Sequence, residues 1–94
     1  MPTQEQVDQI VRELAPDVVR IRFTADWDWT GDPAFHFKIV LSDDAMRSER
    51  FLEVRGRVRA RVVEGMGLAD SGRIPYFRFR GESDQAKIRE ASWE

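Results

Sequence analysis

The chain has no cysteine, one histidine and no long apolar run among its 94 residues. Without cysteine, a disulfide scaffold, a thiolate zinc site and a cysteine nucleophile are excluded. His36 alone cannot form a zinc site, and no serine or aspartate is spaced to indicate a catalytic triad. No apolar stretch approaches the length of a membrane span. The N-terminus lacks the basic start and apolar core of a signal peptide, so we expect a cytoplasmic protein.

Neither sign of charge dominates the composition. Fifteen lysines and arginines oppose 17 aspartates and glutamates, which gives a net charge of −2. A chain with this balance is not a general nucleic-acid binder, although its charges are unevenly placed. The length predicts one domain, residues 1–94, with a single core of modest stability. No motif for a metal or another cofactor stands out.

Residues 18–41 form two alternating runs around a turn, which predicts a β-hairpin. Apolar or aromatic residues recur at every second position, as in half-buried strands. The sequence TGDP at 30–33 interrupts both runs and predicts the turn. The predicted core face holds Val19, Ile21, Phe23, Ala25, Trp27, Trp29, Phe35, Phe37, Ile39 and Leu41. The opposite face holds Arg20, Arg22, Thr24, Asp26, Asp28, His36, Lys38 and Val40.

Helical patterns flank this hairpin, and one more strand follows. Thr3 and Gln6 match a capping box at the start of a helix over 3–15. The polar residues at 42–44 predict the cap of a second helix. We predict this helix over 45–64, a strand over 74–80 and a short helix over 84–92.

The resulting order α-β-β-α-β-α predicts an α+β fold. The apolar faces of three strands need cover, and amphipathic helices supply it in a two-layer α/β sandwich. We therefore expect a three-stranded sheet with helices mainly on one face. If both long helices share that face, the opposite face is open and basic.

This basic sheet face is the first candidate binding surface. Arginine, lysine and tyrosine side chains on adjacent strands can grip phosphates or an acidic protein, whereas the plainer interpretation is a solvated face. The tryptophans are the second candidate, since they either pack in the core or form a protein contact. The candidate partner-binding residues are Arg20, Arg22, Lys38, Tyr76, Arg78, Arg80, Trp27, Trp29 and Trp93.

Asp26 and Asp28 stand two apart on the first strand and would point the same way. Such a pair can hold Mg²⁺, with Asp32 or Asp43 as a third ligand, as in nucleotidyl-transferring enzymes. Those enzymes also need a Gly-Ser phosphate loop after their first strand, and the sequence has FTA at 23–25 there. The plainer interpretation is a pair of solvated carboxylates, and we assign no catalytic or metal-binding residue.

Four blocks resemble a group of short uncharacterised bacterial proteins: DWTGDP at 28–33, VLSD at 40–43, IPYFRFR at 74–80 and QAKIREASW at 85–93. The resemblance implies a gene neighbourhood with small HEPN-domain proteins, a class that includes toxin RNases. The helix–strand–strand order also resembles minimal nucleotidyltransferases that act as antitoxins to HEPN toxins. The chain departs from those enzymes by lacking the Gly-Ser loop.

Three functions therefore stay open. The first is a non-catalytic protein-interaction module, an antitoxin-like or accessory partner of a HEPN-type protein. The alternative is a nucleic-acid-binding module that uses the basic sheet face. The second alternative is a degenerate nucleotidyltransferase-like protein. Self-association would satisfy the first function as well as a different partner would.

Overall fold

The computed structural model describes residues 2–94. Three α-helices and three strands occur in the order α1, β1, β2, α2, β3, α3, which confirms the predicted α+β architecture. Two single 3₁₀ turns, Leu68–Asp70 and Ala91–Trp93, supplement them. The bounds are α1 Gln4–Leu14, β1 Val18–Trp27, β2 Pro33–Leu41, α2 Ser48–Gly65, β3 Ile74–Gly81 and α3 Glu82–Ile88.

The sheet has the strand order β1-β2-β3, so β2 is central and β3 lies at one edge. β1 and β2 pair antiparallel as the predicted hairpin, with Phe23 opposite Phe37. β2 and β3 pair in parallel, with Phe37 beside Phe77. The connection from β2 to β3 contains α2, as parallel neighbours require.

The two long helices cover one face of this sheet. Val7 and Ile10 of α1 and the valines of α2 join the sheet's apolar side chains in one core. The capping box at Thr3 forms as predicted: Thr3 Oγ1 accepts from the Gln6 N–H at 3.2 Å, and Gln6 Oε1 accepts from the Thr3 N–H at 2.9 Å. No helix in residues 2–94 combines the length and apolarity that a membrane crossing needs.

Register at the start of β1 departs from the simple alternation. A bulge between Val18 and Arg20 shifts the pairing, so Val18 is buried and Val19 only half-buried. The prediction that Val19 faces the core was therefore wrong. A bulge inserts one residue without a partner, and the alternation beyond it keeps the predicted phase.

α2 begins three residues later than predicted. Residues 42–47 form tight turns, in which the Met46 N–H donates to the Ser42 carbonyl oxygen at 3.2 Å. The expected capping carboxylates have other partners: Asp43 binds Ser83, while Asp44 binds Arg47 and Arg50. These contacts hold the turn and leave α2 without a side-chain cap.

α3 is also displaced from its predicted position. It starts at Glu82 and ends where Arg89 adopts a left-handed conformation, with φ of 56°. The Ser83 hydroxyl, in the first turn of this helix, contacts Asp43. The chain then turns back across the sheet through Ala91–Trp93.

Candidate functional site

The second sheet face carries the predicted basic row, and the C-terminal segment, residues 82–94, crosses it. Arg20 Nε donates to the Trp93 carbonyl oxygen at 2.9 Å, and Arg22 Nε donates to the backbone oxygen of Glu94 at 2.7 Å. Lys38 Nζ donates to Ser92 Oγ at 2.7 Å. Three of the candidate basic residues thus hold a part of their own chain.

Arg80 and Trp93 form the centre of the same contact. The Arg80 guanidinium lies 4.1 Å from the Trp93 ring centroid, and it donates to Gln85 Oε1 at 2.7 Å. Trp93 is only 4% exposed, and Gln85 is buried with it. Val40, predicted on the open face, is buried too. The structure therefore places Trp93 and Arg80 inside this contact and away from any surface that a partner would reach.

Asp28 organises the hairpin tip, residues 28–32. Its Oδ1 accepts hydrogen bonds from the Thr30 hydroxyl at 2.6 Å and from the Thr30 and Asp32 N–H groups at 2.9 Å. Its Oδ2 accepts from the Tyr76 hydroxyl at 2.9 Å. The Thr30 hydroxyl, with the Asp32 N–H and Tyr76, lowers the pKa of Asp28 to about 2. The bond to the carboxylate raises the pKa of the Tyr76 hydroxyl.

The expected carboxylate pair does not form. β1 ends at Trp27, so Asp28 belongs to the turn and does not share a strand face with Asp26. Asp26 Oδ1 accepts from the Trp27 N–H instead. Within residues 2–94, no three His, Asp or Glu side chains gather as a metal site would require. His36 donates from Nε2 to the Trp27 carbonyl oxygen at 3.0 Å and stacks on Tyr76.

Two tryptophans are exposed beside this tip. Trp27 is 61% exposed and Trp29 is 90% exposed, so neither packs in the core. The helices cover β1 only over its first half: Ile21 is buried, whereas Ala25 is exposed. The prediction that Trp27 and Trp29 lie on the core face was therefore wrong, and whether the pair forms a protein contact stays a prediction.

A groove separates α2 from the outer side of β3, and we call it the edge groove. Its volume is about 660 Å³. Phe77 and Phe79 of β3 are only half-buried here, while their partners on β2, Phe37 and Ile39, are fully buried. The lining residues are Phe51, Leu52, Arg55, Gly56, Arg59, Pro75, Tyr76, Phe77 and Phe79.

The helical rim of this groove is basic. The guanidinium of Arg59 lies 5.2 Å from the Phe77 ring centroid, and that of Arg55 lies 5.7 Å from the Phe51 ring centroid. Both arginines, and Arg78 on the other face of β3, are absent from the ion pairs formed within residues 2–94. None of the nine lining residues is acidic.

On the side of α2 that faces α1, the arginines are paired with carboxylates. Arg61 pairs with Glu13 of α1 at 2.6 Å, and Arg57 and Arg50 both pair with Asp17, at 2.6 and 2.8 Å. Hydrogen bonds from Arg50 and then Arg57 lower the pKa of Asp17. The arginine-rich helix is thus neutralised toward α1 and left basic toward the edge groove.

Of the predicted binding residues, Tyr76 lines the edge groove, and Arg78 lies on the other face of the same strand. The helix residues Arg55, Gly56 and Arg59 were missing from the predicted set. Their spacing of three and four puts them on one side of α2, which the sequence does show. That this side borders β3 follows from the tertiary packing alone.

Comparison of the chain with protein-family models, with curated proteins and with solved structures finds no match.

Proposed function

We propose that this protein is a non-catalytic protein-interaction module that receives its partner along the edge groove. The observation that supports the proposal is the combination of a sheet edge, half-buried phenylalanines and unpaired arginines on one side of the molecule. Half-buried aromatic side chains gain most from a partner that completes their burial.

Exposed apolar side chains extend this surface. Leu52, on the helical rim, is 68% exposed, and Ile74 at the start of β3 is exposed as well. Isolated exposed apolar residues are ordinary, but a group around a groove marks an interaction site. Trp27 and Trp29 at the hairpin tip offer a second contact for a large partner.

A HEPN-domain protein encoded beside this chain is the first partner to test. The sequence resemblance supports that choice, and it implies an antitoxin-like or accessory role in a bacterial cytoplasm. A groove that binds protein without chemistry of its own suits such a role.

Nucleic-acid binding is the second candidate function. Arginines beside aromatic rings also suit single-stranded nucleic acid, because bases stack on rings while guanidinium groups bind phosphates. The C-terminal segment lowers the weight of this candidate, since it occupies Arg20, Arg22 and Lys38 of the basic row. We find no support for a nucleotidyltransferase-like activity, because the carboxylate of Asp28, a candidate metal ligand, forms hydrogen bonds within the hairpin tip.

The test is co-expression with the neighbouring gene product, followed by size-exclusion chromatography. We expect one complex with the unaltered chain and separate peaks with the double variant Arg55→Glu/Arg59→Glu. Arg12→Glu is the matched control, because Arg12 is an exposed residue of α1 away from the groove. Co-elution that both variants keep would contradict the groove as the binding site. Recovery of nucleic acid in place of protein would favour the second candidate.

A further inference from the structure

We infer that the partner enters the edge groove as an extended strand, with apolar side chains toward the helices and acidic side chains toward the opposite face. This inference rests on the proposed protein-interaction function and specifies the chemistry of the partner. It follows from the backbone of β3, the space beside α2 and the charge around both.

The backbone groups along the outer edge of β3 can pair with an added strand. β3 is the last strand of the sheet, and no strand of residues 2–94 pairs with its outer edge. Edge strands present unpaired N–H and carbonyl groups, and an added strand binds them by main-chain hydrogen bonds. Pro75 lacks an N–H group, so the donors of the edge come from the residues after it. β3 has eight residues, which sets the useful length of an added segment.

The space beside α2 suits side chains of moderate size. Gly56 lies on the rim of the edge groove, and a Cβ placed on it meets nothing within 4 Å. Every second side chain of an added strand would point into this space, over the half-buried Phe77 and Phe79. Apolar side chains there would remove these two rings from water.

Charge indicates which side chains of the added strand should point away from the helices. The side chains of an added strand that point away from the helices would lie beside Arg78, which is exposed and unpaired within residues 2–94. Arg55 and Arg59 at the rim also favour a segment of negative charge. Acidic residues between the apolar ones satisfy both conditions.

A second copy of this chain fits less well. Pairing of β3 with its own copy would bring Arg78 and the arginine rim close to identical groups. Like charges opposite each other in neighbouring strands are destabilising. The acidic segment therefore belongs to a different protein.

The probe is a labelled peptide of eight alternating valine and glutamate residues, acetylated and amidated at its ends. Fluorescence anisotropy measures its binding to the full chain. We expect it to bind at least about tenfold more tightly than an alternating valine–lysine peptide of the same length. N-methylation of every second peptide nitrogen, on the edge that faces β3, should cost a further factor of about ten or more.

Two protein variants locate the binding. Gly56→Leu fills the groove and should weaken the valine–glutamate peptide at least about tenfold. Ala86→Leu adds a similar side chain at an exposed position of α3, outside the lining of the edge groove, and should leave binding unchanged. Thermal unfolding of both variants shows that they are folded.

Several results would overturn the inference: no binding of the valine–glutamate peptide, equal binding of the lysine peptide, or full retention after N-methylation. A dimer of the chain that Gly56→Leu dissociates would also overturn it, in favour of a second copy. The proposed function has a separate outcome. If a protein partner binds and Gly56→Leu releases it, that function holds even when the peptide does not bind.

Discussion

Asp28 illustrates what single residues do in this protein. One carboxylate accepts hydrogen bonds from Thr30, Asp32 and Tyr76, so it joins the hairpin tip to the edge strand. Trp27 and Trp29 are the chain neighbours of Asp28, so their backbone adjoins this closed turn. These hydrogen bonds explain the low pKa of Asp28, because each of them favours the charged form of its carboxyl group.

The low pKa predicts a defined pH dependence of stability. The pKa of Asp28 falls from an ordinary value of 3.8 to about 2 in the folded protein. A depressed pKa stabilises the fold above the unfolded value, and this contribution is lost as the pH falls through the folded value. We expect urea unfolding to show Asp28→Asn as less stable than the unaltered chain above pH 3.8, with the difference shrinking toward pH 2.

Other carboxylates also lose their partners in acid, so the comparison with the variant is essential. Asp17, for example, has a lowered pKa and affects both proteins equally. A difference between them that stays constant across this pH range would contradict the assignment to Asp28.

Among the elements, the C-terminal segment departs most from the prediction, because it covers the sheet face that was expected to be open. The sequence showed a basic sheet face, and the pattern of alternation placed Arg20, Lys38 and Arg80 on it correctly. It could not show that Trp93 lies under Arg80, because that contact joins positions far apart in the chain. A tryptophan near the end of a short helix has the same local pattern whether it docks or projects into solvent.

Docking of this segment predicts a large effect of Trp93→Ala. Removing a buried tryptophan side chain should lower the free energy of unfolding by about 3 kcal/mol. Trp29→Ala is the matched control, since Trp29 is exposed, and it should change the free energy by less than about 0.5 kcal/mol. Urea unfolding of both variants is the measurement. Equal losses for the two variants would mean that Trp93 is not docked.

Gly56 allows a prediction for α2 itself. Glycine in a helix interior is less favourable than alanine by about 1 kcal/mol, and a Cβ at Gly56 has open space. Gly56→Ala should therefore raise the free energy of unfolding by about 1 kcal/mol.

Gly65→Ala is the comparison for this substitution. Gly65 ends the same helix, but a Cβ there would meet the Arg61 side chain and approach Ile10 Cδ1 at 3.3 Å. Arg61 would then have to move away from Glu13, to which it is paired. Thermal unfolding should show no comparable gain for Gly65→Ala, and a loss of stability in Gly56→Ala would contradict the open space.

For the whole molecule, the order of elements and the faces of most strand residues followed from the sequence, because periods of two and of about four residues record local burial. The edge groove did not follow in the same way. It needs β3 at the edge, a parallel crossover and the angle at which α2 lies over Phe77. The open space beside Gly56 also follows from this packing and not from the sequence pattern.

The distribution of charge also appears only at this scale. The chain is nearly neutral, and arginines such as Arg20 and Arg61 pair with carboxylates, while Arg55 and Arg59 at the rim of the edge groove form no ion pair within residues 2–94. We expect complex formation to weaken as salt rises, because these exposed charges are screened.

The central claim is that the partner binds in the edge groove. A pull-down with a variant whose groove is filled tests this claim most directly. The tagged chain, Gly56→Leu and Ala86→Leu are each used to pull down proteins from a host that expresses the HEPN-domain protein proposed as the partner. We predict that the unaltered chain and Ala86→Leu retain the same stoichiometric partner, and that Gly56→Leu loses it while staying folded. Equal capture by all three proteins would contradict binding in the edge groove.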